Sequence, residues 1–365
     1  MRNISRNRSV IQELESILKN PISREVEIAT FATLAWELRI SHPERSTGYA
    51  YEAIQHSQSG PFEMSPYKEG VAAGLVTLAF IHLQMGELQK ATEKSLRALK
   101  HLGNAPHSRT TLHIWLVLAQ DSFFLGDYAS AKEQSQKAIE LAEALELSIE
   151  KAWAMDMLAT TCGTLGDCEN ALELHKKSLE IFEKEDDIDG ILRAGNNLAM
   201  TLYLQKELQD ADTQIKKTLS LAHERGNKFD LLNIYCTAAQ IAIDRQQFDE
   251  AEKDLFAAFS NAEVLENTRT YHIFALMEWA RLSREQNERE KSKSYFLQSL
   301  VLAEENGQLA EQAHCYQELA SIFTEEGNTE RAEKYIKIAQ SLRDELEELH
   351  AKHRKEIQLA VAQVN

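Results

Sequence analysis

The sequence predicts an all-α, right-handed superhelical solenoid of about eight helix-turn-helix hairpins, and three observations carry that expectation. Small residues recur at Ala91, Ala131, Ala171, Ala211, Ala251, Ser292 and Ala332, a spacing of forty with one step of forty-one. A second ladder runs twelve residues upstream, at Ala79, Ala119, Ala159, Ala199, Ala239, Ala280 and Ala320, and a third seven downstream, at Ala98, Ala138, Ser178, Thr218, Ala258, Ser299 and Ala339. Three ladders in one register mean that one supersecondary unit is copied along the chain. The third observation is the scarcity of breakers: five prolines in 365 residues, none after Pro106, leave long helices uninterrupted.

The elements follow in order. The N-terminal stretch, Met1 to Val10, is polar, with Arg2, Arg6 and Arg8 and no apolar leader segment. A helix over about Ser9–Lys19 places Val10, Ile11, Leu14, Ile17 and Leu18 on one face, so residues 1–24 are expected to cap the stack. Residues 25–64 hold an irregular pair, about Glu25–Ile40 and Pro43–His56, with Ser41 read as a cap and Pro43 in the first helical turn. The loop from Ser57 to Met64 breaks the rhythm, and Ser65-Pro66 restarts it.

Seven regular hairpins occupy 65–345. Each turns at an equivalent position: Gly86, Gly126, Gly166, Lys206, Gln246, Asn287 and Gly327. Five of these are Gly or Asn, the residues that most readily stop a helix in the left-handed conformation. Asp127 and Asp167 follow as expected N-caps. The ladder residues set the close approach of paired helices, and Leu118, Leu158, Leu198 and Leu319 fill the space beside them. The last helix, about Thr329–Ala360, is twice what a repeat needs. Its stripe of Ile338, Leu342, Leu346, Leu349, His353, Ile357 and Ala360 suits a terminal cap, a homodimer seam or a lead into an output module, residues 346–365 being the extension.

Bulk composition narrows the function classes. A net charge of −17 opposes binding to nucleic acid or to anionic membranes. No segment reaches the length of an apolar membrane span. Four unevenly spaced cysteines, Cys162, Cys168, Cys236 and Cys315, suggest a reducing, cytoplasmic setting with no disulfide framework.

The ladders resemble the tetratricopeptide repeat, whose signature is small residues at three fixed points of a helical hairpin. The resemblance covers about residues 66–345. The period of forty rather than thirty-four, and the missing proline at the end of each unit, set this chain beside lengthened repeats like those in the sensory regions of bacterial diguanylate cyclases and histidine kinases; His42-Pro-Glu-Arg-Ser46 and the helix after Tyr335 add to that likeness. No cyclase or kinase motif is present in these residues.

The resemblance implies that the first helix of each hairpin lines a concave groove through positions six and three before the upstream ladder residue and one and four after it. The groove residues become His113, Leu116, Gln120 and Phe123; Trp153, Asp156 and Thr160; Arg193, Asn196, Met200 and Tyr203; Asn233, Cys236, Gln240 and Ile243; Phe274, Met277, Arg281 and Arg284; and His314, Gln317 and Ser321. Each is read either as a binding position or as ordinary packing between repeats, the apolar ones leaning to packing. Asn196 and Asn233 can each pair a peptide N–H and C=O through one amide. Three arginines, two histidines and one acid make the groove non-acidic in an acidic chain.

Candidate chemistry is sparse. Glu185-Asp-Asp-Ile-Asp-Gly190 imitates a calcium loop, but its twelfth position is Asn196 instead of a bidentate glutamate, so it reads as an inter-repeat turn. His350 and His353 read as a solvated helix face. No phosphate loop, nucleophile elbow or metal triad is found. The expectation is a non-catalytic regulatory module with no cofactor. A protein, a peptide or a small anionic ligand would bind in the groove and signal through the C-terminal helix by a change of superhelical pitch. The alternative is an interaction scaffold without a ligand switch. A phosphatase-like regulator would need a separate N-terminal bundle, for which residues 1–24 are too short.

Overall fold

The structure, a computed structural model, describes residues 6–103, 108–225, 228–262 and 269–362. Residues 1–5 of the expected N-terminal cap, with Arg2, and Pro106 lie outside the described residues. Seventeen α-helices and no strand occur among the described residues. They are α1 (Arg6–Ile17), α2 (Arg24–Leu38), α3 (Pro43–His56), α4 (Lys68–Gln84), α5 (Leu88–Leu102), α6 (Arg109–Phe124), α7 (Tyr128–Ala144), α8 (Ser148–Thr164) and α9 (Cys168–Glu185). Then come α10 (Ile188–Leu204), α11 (Leu208–Arg225), α12 (Lys228–Asp244), α13 (Phe248–Ala262), α14 (Arg269–Glu285), α15 (Arg289–Glu305), α16 (Leu309–Glu325) and α17 (Thr329–Ala362). A 3₁₀ turn, Gly60–Phe62, sits in the loop between α3 and α4.

Consecutive helices pack as hairpins, and the first helices of neighbouring hairpins pack side by side, as in α4 with α6, α6 with α8 and α12 with α14. This is the stacking of an all-α solenoid. The three ladders mark its seams: of their twenty-one residues none is more than 4% exposed. A larger side chain at any of these points would hold the helices apart.

All seven hairpin turns adopt the left-handed conformation, with φ of 74° at Gly86, 73° at Gly126, 85° at Gly166 and 75° at Gly327. Lys206, Gln246 and Asn287 do the same without the freedom of glycine, at 65°, 59° and 61°. Each turn closes the same way. The amide after the left-handed residue reaches back five residues, as Asp127 N–H to Ser122 O and Glu207 N–H to Leu202 O do, which satisfies the helix's orphan carbonyls.

Two expected caps differ. Asp127 does accept from the Ser130 amide, at 3.1 Å, but Asp167 makes no cap bond to its helix backbone and accepts instead from the Asn170 side chain at 3.3 Å. At α3 the cap position is His42, not Ser41; its side chain caps nothing, and Ser41 Oγ lies 3.1 Å from its ring. Ser23, unnoticed in the sequence, caps α2 through the Val26 amide.

The described chain divides into two compact units, Met1–Asn197 with Lys352–Asn365, and Leu198–Ala351. In the first, α1, α2 and α3 pack in succession before α4 begins. The tail of α17 also belongs to this unit. Arg354 donates to the Leu125 carbonyl at 2.7 Å and Gln358 to Asp127 at 3.1 Å. Ile357 is 2% exposed within the core that α4, α5 and α6 share. His353 is 3% exposed, so the expected solvated face is buried there instead. The apolar end of the stripe is therefore covered by the chain itself. The second unit has its own cores, around Phe296, Leu319 and Phe323 and around Leu255, Ala251 and Leu282.

Candidate functional site

In the first unit the groove positions Asp156 of α8 and Arg193 of α10 join His175 of α9 and Asn197 of α10 in a polar network centred on Asp156. This carboxylate is fully buried and accepts from His175 Nδ1 at 2.8 Å, Arg193 Nε at 3.1 Å and Asn197 Nδ2 at 3.0 Å. Burial alone would raise its pKa, but the hydrogen bonds and charges of His175 and Arg193 outweigh that and hold it below the usual range. Arg193 also lies over the Trp153 ring, 5.1 Å from its centroid. His175, which comes from α9, escaped the sequence reading. Its signal was a histidine at a register position filled by Ser95, Ser135, Ile215 and Leu255 in other repeats.

Next to this network, Asn196 is 6% exposed and its side-chain oxygen has no hydrogen-bond donor. An unpaired buried amide oxygen costs about 1–3 kcal/mol.

His113, Gln120 and Trp153 are buried, at 7%, 8% and 7% exposure. The cover comes from α2: Trp36 stacks on His113, with ring centroids 3.7 Å apart and planes 9° from parallel. Burial drives the His113 pKa down to about 3, so its imidazole is neutral at physiological pH. It lies 3.8 Å from Glu150, which is itself bonded to Arg109 at 2.7 Å.

In the second unit the register positions are more open. Asn233, Phe274 and His314 are exposed, while Met200, Tyr203, Gln240, Met277, Arg281, Arg284 and Gln317 are half-buried. Their polar groups are largely committed. Gln240 donates to Glu278 at 2.6 Å, and Arg281 bonds Asp244, Glu278 and the Tyr203 hydroxyl. Arg284 reaches Glu318, Ser321 and Glu325, and Gln317 accepts from Arg343 at 3.5 Å.

The groove register counts the arginines but not their partners. Arg193, Arg281 and Arg284 are each neutralised by carboxylates, and Asp244, Glu278, Glu318 and Glu325 come from outside that register. In each unit the register positions are therefore polar and balanced in charge.

Asp187 and Asp189, the core of the calcium-loop imitation, sit where a turn enters α10. Asp186 is left-handed at φ 53°, and Gly190 is required because a Cβ there would meet the Phe182 ring at 2.2 Å. No group of three metal-ligating side chains occurs among the described residues. No helix among them is long and apolar enough to cross a membrane.

A stack of helical hairpins with a polar inner face defines a helical-repeat binding protein as a class. Tetratricopeptide repeat profiles match residues 110–184 and 191–225, and with the ladders, turns and stacking they make the chain a tetratricopeptide repeat protein. No curated protein sequence matches it.

Among solved structures, a Rap protein complexed with competence and sporulation factor aligns at a TM-score of 0.70, with 12% identity over 93% of each chain. The apo form of RapI aligns at 0.57, with 14% identity, over 76% of this chain and 99% of that one. Aspartyl phosphate phosphatase F from Bacillus subtilis aligns at 0.55, with 14% identity, over 94% of this chain and 96% of that one. At these identities the likeness is one of fold.

Proposed function

We propose that this chain is a regulatory module of a bacterial signalling system that captures a peptide in its groove through backbone recognition by Asn196. One observation carries the reading: Asn196 presents a buried, unsatisfied oxygen on the face that the repeat register assigns to ligand. A peptide N–H would satisfy it whatever the peptide's side chains. Exposed Asn233 and Phe274 extend the same register in the second unit. The paired arginines favour a peptide over a small anion, which would have to displace a carboxylate from each.

The Rap protein aligned over 93% of each chain is complexed with a named factor, and that precedent supports a ligand-binding role. On this reading the α17 tail, held by Arg354 and Ile357, reports occupancy.

Selection of linear heptapeptides from a display library against the wild-type chain tests the reading. Selected peptides should bind Asn196→Ala at least tenfold more weakly while its helix content stays unchanged. Peptides that bind both chains equally would overturn the role of Asn196 and leave the scaffold reading.

A second reading has support of its own. The phosphatase structure aligns with 94% of this chain, and α1–α3 supply the N-terminal helices for which residues 1–24 alone are too short. Accelerated loss of phosphate from a phosphorylated response-regulator aspartate would establish that activity, and an unchanged rate would exclude it.

A further inference from the structure

Arg39, the C-cap residue of α2, lies over Trp153, one of the positions that the repeat register assigns to ligand. It is 8% exposed, and its guanidinium carbon lies 4.1, 5.1 and 5.2 Å from the ring centroids of Trp36, Phe80 and Trp153. Three aromatic faces from α2, α4 and α8 thus enclose one cation, an arrangement that attracts guanidinium and ammonium groups. The nest opens on a small crevice of about 30 Å³ whose lining includes Glu37, Glu150, Asp187 and Asp189.

The occupant fits its nest imperfectly. Nη1 donates to the Trp36 carbonyl at 2.6 Å, but Nε is buried without an acceptor. The acids are engaged elsewhere: Glu37 and Glu150 are bonded to Arg109 at 3.0 and 2.7 Å, and Asp187 accepts from the Gly190 amide at 3.4 Å. Desolvation opposes the charge on Arg39, and the four acids support it only through space. A buried cation with an unmet donor and only distant counter-charges is poorly compensated. A ligand cation that could reach those carboxylates directly would be better served.

We propose that this nest is a cation-binding subsite of the groove, occupied in the free chain by the chain's own Arg39. A guanidinium or ammonium group carried by a peptide exchanges with Arg39 and so loosens α2 from α4, α6 and α8. The exchange rests on the peptide-binding reading above. It gives a bound ligand a mechanical consequence, because Arg39 and Trp36 are the side chains by which α2 covers His113 and Trp153.

The probe is n-propylguanidinium, with n-propylurea as its uncharged counterpart, titrated into the full chain. Arg39→Ala should bind n-propylguanidinium at least tenfold more tightly than wild type and should not respond to n-propylurea. Amides of α2 should exchange with solvent at least tenfold faster in Arg39→Ala and slow again when n-propylguanidinium is added. Equal binding by both chains, equal response to the two probes, or unchanged α2 exchange would overturn the proposal.

If Arg39→Ala does not fold, the double change Asp187→Asn with Asp189→Asn in the wild-type background serves instead. Faster exchange confined to α2, with α12–α16 unchanged, supports the nest; unaltered α2 exchange refutes it. Because this probe needs no peptide, Arg39→Ala can take n-propylguanidinium even where Asn196→Ala shows that no peptide is held. The two readings therefore fail separately.

Discussion

Replacing Asp121 with asparagine should stabilise the first unit more and more as pH rises. Asp121 lies on α6 with no exposed surface, and neither carboxylate oxygen has a hydrogen-bond partner. Thr92, beside it, donates its hydroxyl to the Leu88 carbonyl. Burial pushes the Asp121 pKa up from 3.8 to about 7, with Thr92 opposing only weakly.

A folded pKa above the unfolded one means that the folded chain keeps a proton the unfolded chain has lost. The stabilisation is complete below pH 3.8 and is lost as pH climbs through about 7. Some three pH units at about 1.4 kcal/mol each amount to about 4 kcal/mol. The substituted amide cannot ionise, so the stability of Asp121→Asn relative to wild type should improve by about that amount between pH 4 and pH 8. Urea unfolding of both chains, followed by hydrogen exchange at α6 amides, reads the unit that holds the residue. A wild-type-to-variant difference that stays constant across this range would refute the reasoning, since it would mean the carboxyl is not held neutral by burial.

Asp156→Ala should cost about 3–5 kcal/mol in urea unfolding, because it strands His175 and Arg193 in a buried site. Since its partners outweigh burial and hold the folded pKa of Asp156 low, the wild-type advantage should be present above pH 3.8 and fade as pH falls through the folded value. Gln246→Gly should stabilise the second unit by about 1 kcal/mol, because Gln246 is exposed and held at φ 59°; a neutral or destabilising outcome in the same assay would count against strain at that turn. Ile357→Ala should cost about 2–4 kcal/mol and speed exchange in α5, whereas a free C-terminal tail would leave both unchanged.

Most of the fold is legible in the sequence because small residues at helix crossings are a steric demand that repeats with the unit. The ladders located all seven turns, including Lys206, Gln246 and Asn287, which composition alone would not nominate. Departures from the register carry information too. Asp121 stands where other repeats carry Ile81, Thr161, Thr201, Ile241, Leu282 and Ile322, and His175 stands in a similar core column.

What the register could not convey was the pairing of side chains across helices. Arg281 looked like a free cation until Asp244 and Glu278 were placed beside it. Nor could it reach outside the repeats: Trp36 and Arg39 belong to an irregular hairpin with no period, and only the folded chain shows them over His113 and Trp153. The α17 stripe was visible, but its cover was not, since contact with residues more than two hundred positions away leaves no local pattern.

An N-methyl scan of a selected heptapeptide decides whether Asn196 Oδ1 receives a peptide N–H. Affinities would be measured for each singly N-methylated peptide against wild type and Asn196→Ala. One position should lose at least tenfold against wild type and nothing further against Asn196→Ala, because the bond it removes is already gone. Equal losses in both chains at every position would mean that Asn196 makes no bond to the peptide backbone.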